Sequence, residues 1–175
     1  MYLEDAVEDF KFLNSLNGTK IILKGNHDYW WTTKSKMEAF LNENNFSTIK
    51  ILNNTAYLYG NIAICGTRGW TFAPENSTGE DRKIFEREKL RLVLALENAK
   101  ANNPEKIVVA MHYPPISEDS REFFDIAKEY KADAVIYGHL HGSAQSSAKE
   151  GEVDGVQLKM VSCDYINFDP ILIEI

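Results

Sequence analysis

Apolar positions recur along this chain with two different periods, and the alternation between them predicts most of its elements. Over residues 2–16, Leu3, Ala6, Val7, Phe10, Leu13 and Leu16 fall at helical spacing with Glu4, Asp5, Glu8, Asp9 and Lys11 between them. That pattern predicts an amphipathic helix, stopped by Asn17-Gly18. Ile21, Ile22 and Leu23 form a short apolar run that predicts a buried strand over 20–24. A second helix is expected over 34–44, with Met37, Phe40 and Leu41 on one face and Asn44-Asn45 at its end. β-rich pieces follow at 47–52, 56–59 and 61–65, the last two joined as a hairpin around Gly60-Asn61.

The longest helix is expected over 81–101, its apolar side supplied by Ile84, Leu90, Leu92, Val93, Leu94 and Leu96 and its stop by Asn102-Asn103-Pro104. A strand over 106–111, a loop over 112–118, a helix over 119–130 and a strand over 133–137 then make a βαβ unit, which requires a parallel pair and a right-handed crossover. Residues 156–162 and 171–174 read as strands with no helix between them, so the sheet is expected to finish antiparallel. The chain shows no internal repeat, low-complexity tract or linker, and its 175 residues fit a single α/β domain.

Composition narrows the partners. Hydrophobic residues are 44% and charged residues 26%, as in an ordinary globular protein. No apolar run approaches the roughly 20 residues that span a bilayer, and the N-terminus is acidic where a signal peptide is basic. No membrane partner and a cytoplasmic location are therefore expected. A net charge of −7 argues against nucleic acid as a partner, but not against an anionic substrate held through a bound cation. Cys65 and Cys163 lie far apart, outside any paired metal spacing, and are expected as small reduced core residues. A nucleophile-type α/β hydrolase is disfavoured, because no G-x-S-x-G elbow occurs and neither cysteine is near a histidine in sequence.

The candidate chemistry lies in the four histidines. His27 follows the run over 20–24, His112 the run over 106–111, and His139 and His141 the run over 133–137. Gly25 and Gly138 are placed to turn the backbone after two of these runs. In an open α/β sheet ligands bind beyond the carboxyl ends of the strands, so three separate segments can converge on one site. Trp30 and Trp31 read as a packed wall beside it. Residues 66–79 form a loop long enough to suggest function, and they carry Arg68, either a guanidinium clamp for phosphate or a surface ion pair.

Set in order, the loops read Gly25-Asn26-His27-Asp28, Met111-His112-Tyr113-Pro114-Pro115 and Gly138-His139-Leu140-His141. Here the chain resembles the calcineurin-like metallophosphoesterases, whose motifs run D-x-H, G-D, G-N-H-D/E, a lone histidine and G-H-x-H. The last three match residue for residue from about 20 to 142. Nothing before Lys20 resembles the first two, so the chain is expected to correspond to the C-terminal portion of such a protein, N-terminally incomplete. The resemblance implies a two-sheet αββα sandwich lacking its first strands. It also implies a hydrolase acting on phosphate mono- or diesters through a metal-activated water at a dinuclear site.

In that reading Asn26, His112 and His139 ligate one divalent ion and His141 the other. His27 is the non-ligand histidine that protonates the leaving group, and Asp28 either holds its ring or caps the loop. Neutral imidazoles with one amide oxygen suit Mn, Fe, Zn or Co. The alternative is a catalytically incompetent metal-binding or regulatory fragment, because the front motifs carry the bridging carboxylate. For residues 1–175 alone, three protein ligands can hold one ion weakly while His141 by itself holds none, so little or no turnover is expected unless another residue, such as Asp164 or Asp28, replaces the missing carboxylate. A neighbouring strand left without its partner would favour self-association.

Overall fold

The computed structural model describes residues 2–71, 75 and 77–175, so Phe72, Ala73, Pro74 and Asn76 of the predicted long loop lie outside the described residues. The chain divides into two compact units, 1–53 and 54–175.

In the first unit a 3₁₀ turn, Leu3–Ala6, leads into α1 (Val7–Ser15), so the predicted first helix is tighter at its start. Strand β1 (Lys20–Leu23) follows, then α2 (Lys34–Glu43), capped by the Thr33 hydroxyl, which accepts from Lys36 N at 3.4 Å. Strand β2 (Ile49–Leu52) pairs with β1 in parallel, Ile22 opposite Ile51. Thr48 ties the start of β2 to the end of α1, its hydroxyl donating to the Asn14 side-chain oxygen at 2.7 Å. The core joins Phe10, Met37, Phe40, Phe46 and Ile51. Trp30 meets Phe10 edge-on at 5.3 Å, so it packs against this core.

The second unit is built on a six-stranded sheet in the order β3-β4-β5-β6-β8-β7. Strands β3 (Thr55–Tyr59) and β4 (Ile62–Thr67) form the expected hairpin. Strands β4, β5 (Lys106–Met111), β6 (Ala134–Tyr137) and β8 (Val156–Met160) run parallel to one another. A glycine is required at Gly66, because a Cβ there would sit 1.8 Å from the Ala110 carbonyl oxygen on the facing strand. Helix α3 (Gly79–Lys100) begins with a reciprocal cap, Asp81 N donating to the Thr78 hydroxyl and Thr78 N to the Asp81 carboxylate. Helix α4 (Glu122–Glu129) buries Phe123, Phe124 and Ala127 and crosses from β5 to β6.

Two expectations need correction. The inward face of α3 is Phe85, Glu88, Leu92, Ala95, Leu96 and Ala99, whereas Leu90 and Leu94 are exposed, at 67% and 55%. Choosing leucines over alanines for the buried stripe misplaced the face, since small residues let a helix lie close to a sheet. The sheet does end antiparallel, but through β7 (Gly151–Val153) against β8, and residues 171–175 form no strand. Strand β8 itself lies parallel to β6, reached through a 3₁₀ segment, Gly142–Ser147. Tyr137 secures this crossover: its buried phenol donates to Lys149 O at 2.7 Å and accepts from Lys149 N at 2.9 Å. Burial pushes that phenol's pKa up to about 12.

Candidate metal centre

Parallel strands deliver their carboxyl ends to one edge of a sheet, and four adjacent ones do so in the second unit. Beyond β4 comes Arg68, beyond β5 His112, beyond β6 His139 and His141, and beyond β8 Cys163 and Asp164. The loops are fastened to one another through the backbone. His112 N and Tyr113 N donate to Arg68 O at 3.1 and 3.0 Å, and Gly138 N donates to His112 O at 3.2 Å.

His112 and His139, both half-buried, bring ring nitrogens Nε2 and Nδ1 to 3.1 Å of each other, with ring centroids 4.9 Å apart. The turn that aims His139 differs from expectation. Gly138 has no left-handed φ, and His139 itself carries φ +74°, a conformation that costs a non-glycine residue about 1–2 kcal/mol. The buried Tyr113 ring lies 4.2 Å from His139 and 5.2 Å from Trp70, closing the inner side of the pair. Burial raises the Tyr113 pKa, and the Arg68 charge opposes the rise.

Arg68 stacks its guanidinium 4.6 Å above Trp70. Among the described residues no carboxylate forms an ion pair with it, so the surface ion pair foreseen as one alternative does not occur there.

His141 is exposed, and its Nδ1 lies 2.7 Å from Asp164 Oδ1, while Asp164 Oδ2 accepts from Gly142 N at 3.1 Å. These bonds from His141 and Gly142 hold the Asp164 carboxyl below the usual carboxylate range. Cys163 is exposed too, which corrects its placement in the core; Cys65 is the buried thiol, pushed up to about 12 by burial. Sequence reading missed Cys163, and offered Asp164 only beside Asp28 as a stand-in for the missing carboxylate, because it gave β8 the wrong neighbour. A strand antiparallel at the sheet's end would have carried both away from the histidines.

In the first unit Asn26, His27 and Asp28 follow β1. The Asp28 carboxylate accepts from Gly25 N at 2.6 Å and so closes the loop. Exposed His27 has its Nδ1 3.4 Å from the Tyr29 hydroxyl, a long contact. A cavity of about 810 Å³ in this unit opens beside Trp30, Trp31 and Phe40, and none of these three polar residues lines it.

A family model of the calcineurin-like phosphoesterases matches residues 3–143. No curated protein matches the sequence. A solved crystal structure is similar at a TM-score of 0.60 and 17% identity, over 89% of this chain, a likeness of fold alone. This chain spans 62% of that chain's length. The mixed α/β architecture, a six-stranded sheet with a second small one, is the kind the metallophosphoesterase resemblance implied. With four-fifths of its length inside the family match, the chain belongs to the calcineurin-like phosphoesterases, a family of metal-dependent hydrolases of phosphoester bonds.

Proposed function

We propose that this chain takes part in the metal-dependent hydrolysis of phosphate mono- or diesters, with His112 and His139 holding one divalent ion and His141 a second. The carrying observation is the His112–His139 pair, whose facing ring nitrogens are 3.1 Å apart. Two ligand nitrogens on a tetrahedral ion with bonds of about 2.0–2.1 Å are separated by about 3.3 Å, so the donor set fits such an ion with little movement. Its nitrogens suit Mn, Fe, Zn or Co better than Mg or Ca. Ions bound there supply charge relief on the phosphoryl oxygens and an activated nucleophile.

The chain's own residues do the rest. Tyr113 packs its ring beside both histidines, and Trp70 packs behind Tyr113. Arg68, its carbonyl pinned by two amides and its flat face on Trp70, can turn its N–H edge to a phosphate oxygen pair. Asn26 and His27 enter on the resemblance, Asn26 as a further ligand and His27 as the acid that gives its proton to the leaving alkoxide. Asp28 keeps the loop that carries them closed.

The test is a panel of phosphate mono- and diesters offered to the Mn²⁺-loaded intact protein, beside its His27→Ala and His139→Ala variants. Metal-dependent phosphate release is expected, falling roughly 10²- to 10⁴-fold in His27→Ala with metal content unchanged. In His139→Ala the metal itself should be lost. Metal retention with no turnover on any ester would overturn the proposal and favour a metal-binding or regulatory role.

A further inference from the structure

The ion assigned to His141 had no companion ligand in the sequence motifs. The structure supplies two. A ring nitrogen of His141, a carboxylate oxygen of Asp164 and the Cys163 thiol all lie within 4.8 Å of one another, brought together from the loops after β6 and β8. They are an imidazole, a carboxylate and a thiol, three chemically different donors, with Asp164 lying 23 residues after His141, and both Cys163 and Asp164 fall beyond the family match over 3–143.

The framework around them is set. Val161 N donates to Tyr137 O at 2.7 Å, continuing the β6–β8 pairing up to the turn. Within that turn Tyr165 N and Ile166 N donate to Ser162 O at 2.9 and 3.1 Å, which holds Cys163 and Asp164 side by side. Asp164 Oδ2 is anchored by Gly142 N, and Oδ1 faces the imidazole.

We propose that His141, Cys163 and Asp164 form a binding site for a thiophilic divalent cation of the Zn²⁺ class, with water as fourth ligand. The proposal rests on the reading of His141 as a metal ligand and extends it to residues outside the family motifs. Zinc bonds of about 2.0–2.3 Å place adjacent tetrahedral ligand atoms about 3.3–3.7 Å apart. The Nδ1–Oδ1 pair, now 2.7 Å, opens by less than about 1 Å, and the thiol closes by about as much. Thiolate with imidazole selects Zn²⁺, Co²⁺ or Cd²⁺ over Mg²⁺ and Ca²⁺, which require oxygen. The site thus differs in metal preference from the His112–His139 pair, which has no sulfur donor.

Cd²⁺ and Co²⁺ titrations of the 175-residue chain test this by optical spectroscopy. Thiolate ligation gives a sulfur-to-metal charge-transfer band, and Cys163 alone can give it at neutral pH, because Cys65 is buried with its pKa near 12. Expected is a saturable band at one equivalent, absent in Cys163→Ser. It should be weakened about tenfold or more in apparent affinity in His141→Ala and Asp164→Ala, and unchanged in His112→Ala, with circular dichroism of each variant matching the parent. No band in the parent overturns the proposal. A band indifferent to His141→Ala and Asp164→Ala overturns it too, as a lone thiol. Affinity lost in Asp164→Ala with no band anywhere reduces Asp164 to a residue that orients His141 and likewise overturns it. None of these results depends on ester hydrolysis, so failure here and failure of the proposed activity are distinguishable.

Discussion

Glu88 is the most demanding buried group in the second unit, and its removal gives a sharp prediction. Its side chain is 1% exposed, accepting from the Thr67 hydroxyl at 2.6 Å on one oxygen and from Arg91 Nη1 at 2.6 Å on the other. Thr67 is 1% exposed as well, and it is the last residue of β4, immediately before Arg68. Glu88→Ala leaves that hydroxyl without an acceptor, at about 1–3 kcal/mol. Losing the buried methylene adds about 0.8 kcal/mol. Arg91, with its side chain 38% exposed, can turn to water and adds little. The sum is about 2–4 kcal/mol. Urea denaturation should show the unfolding free energy falling by that amount, read as a lower midpoint with the slope unchanged. The double variant Thr67→Val with Glu88→Leu removes donor and acceptor together and should recover most of the loss. A Glu88→Ala variant within about 0.5 kcal/mol of the parent, or a double variant worse than the single, would refute the reasoning.

Other predictions follow from single observations. Arg68→Lys should raise KM or lower kcat/KM for phosphate esters in the intact protein, since lysine cannot reproduce the fork or the stack on Trp70, and unchanged kinetics would remove Arg68 from the site. A thiol reagent should label one cysteine per native chain and two after denaturation, because Cys163 is exposed and Cys65 is buried and held protonated; two fast native thiols would contradict this. The Ser162 hydroxyl is buried without a protein partner, so Ser162→Ala should be neutral or slightly stabilising in a thermal melt. Lys128 and Arg121 hold the Asp154 carboxyl below its usual range. Its contribution is therefore present at neutral pH and lost as the pH falls through that lowered value, so Asp154→Asn should be less stable than the parent at pH 7 and indistinguishable from it in strong acid.

The sequence made legible whatever depends on local pattern. The strand-then-histidine order placed His112, His139 and His141 beyond β5 and β6, because an apolar run followed by a polar turn has the same meaning in any neighbourhood. Strand order is a different matter. Residues 151–153 were too short and polar to read as a strand, so β8 lacked its true hairpin partner, and its parallel pairing with β6 could not be inferred. Cys163 was lost with it, and Asp164 was left as one of two stand-ins for the missing carboxylate, with no tie to His141. The left-handed φ of His139 was equally out of reach, since Gly138 beside it offers the cheaper turn and only packing selects the costlier one.

The central claim is that His112 and His139 face each other to hold a divalent ion, and isothermal titration of Mn²⁺ into the 175-residue chain tests it most directly. Mn²⁺ prefers nitrogen and oxygen donors and leaves the thiol site unpopulated. One weak site per chain is expected, with His139→Ala lowering affinity at least about tenfold while circular dichroism stays that of the parent. An isotherm identical in parent and His139→Ala, or no binding in the parent at millimolar Mn²⁺, would contradict it.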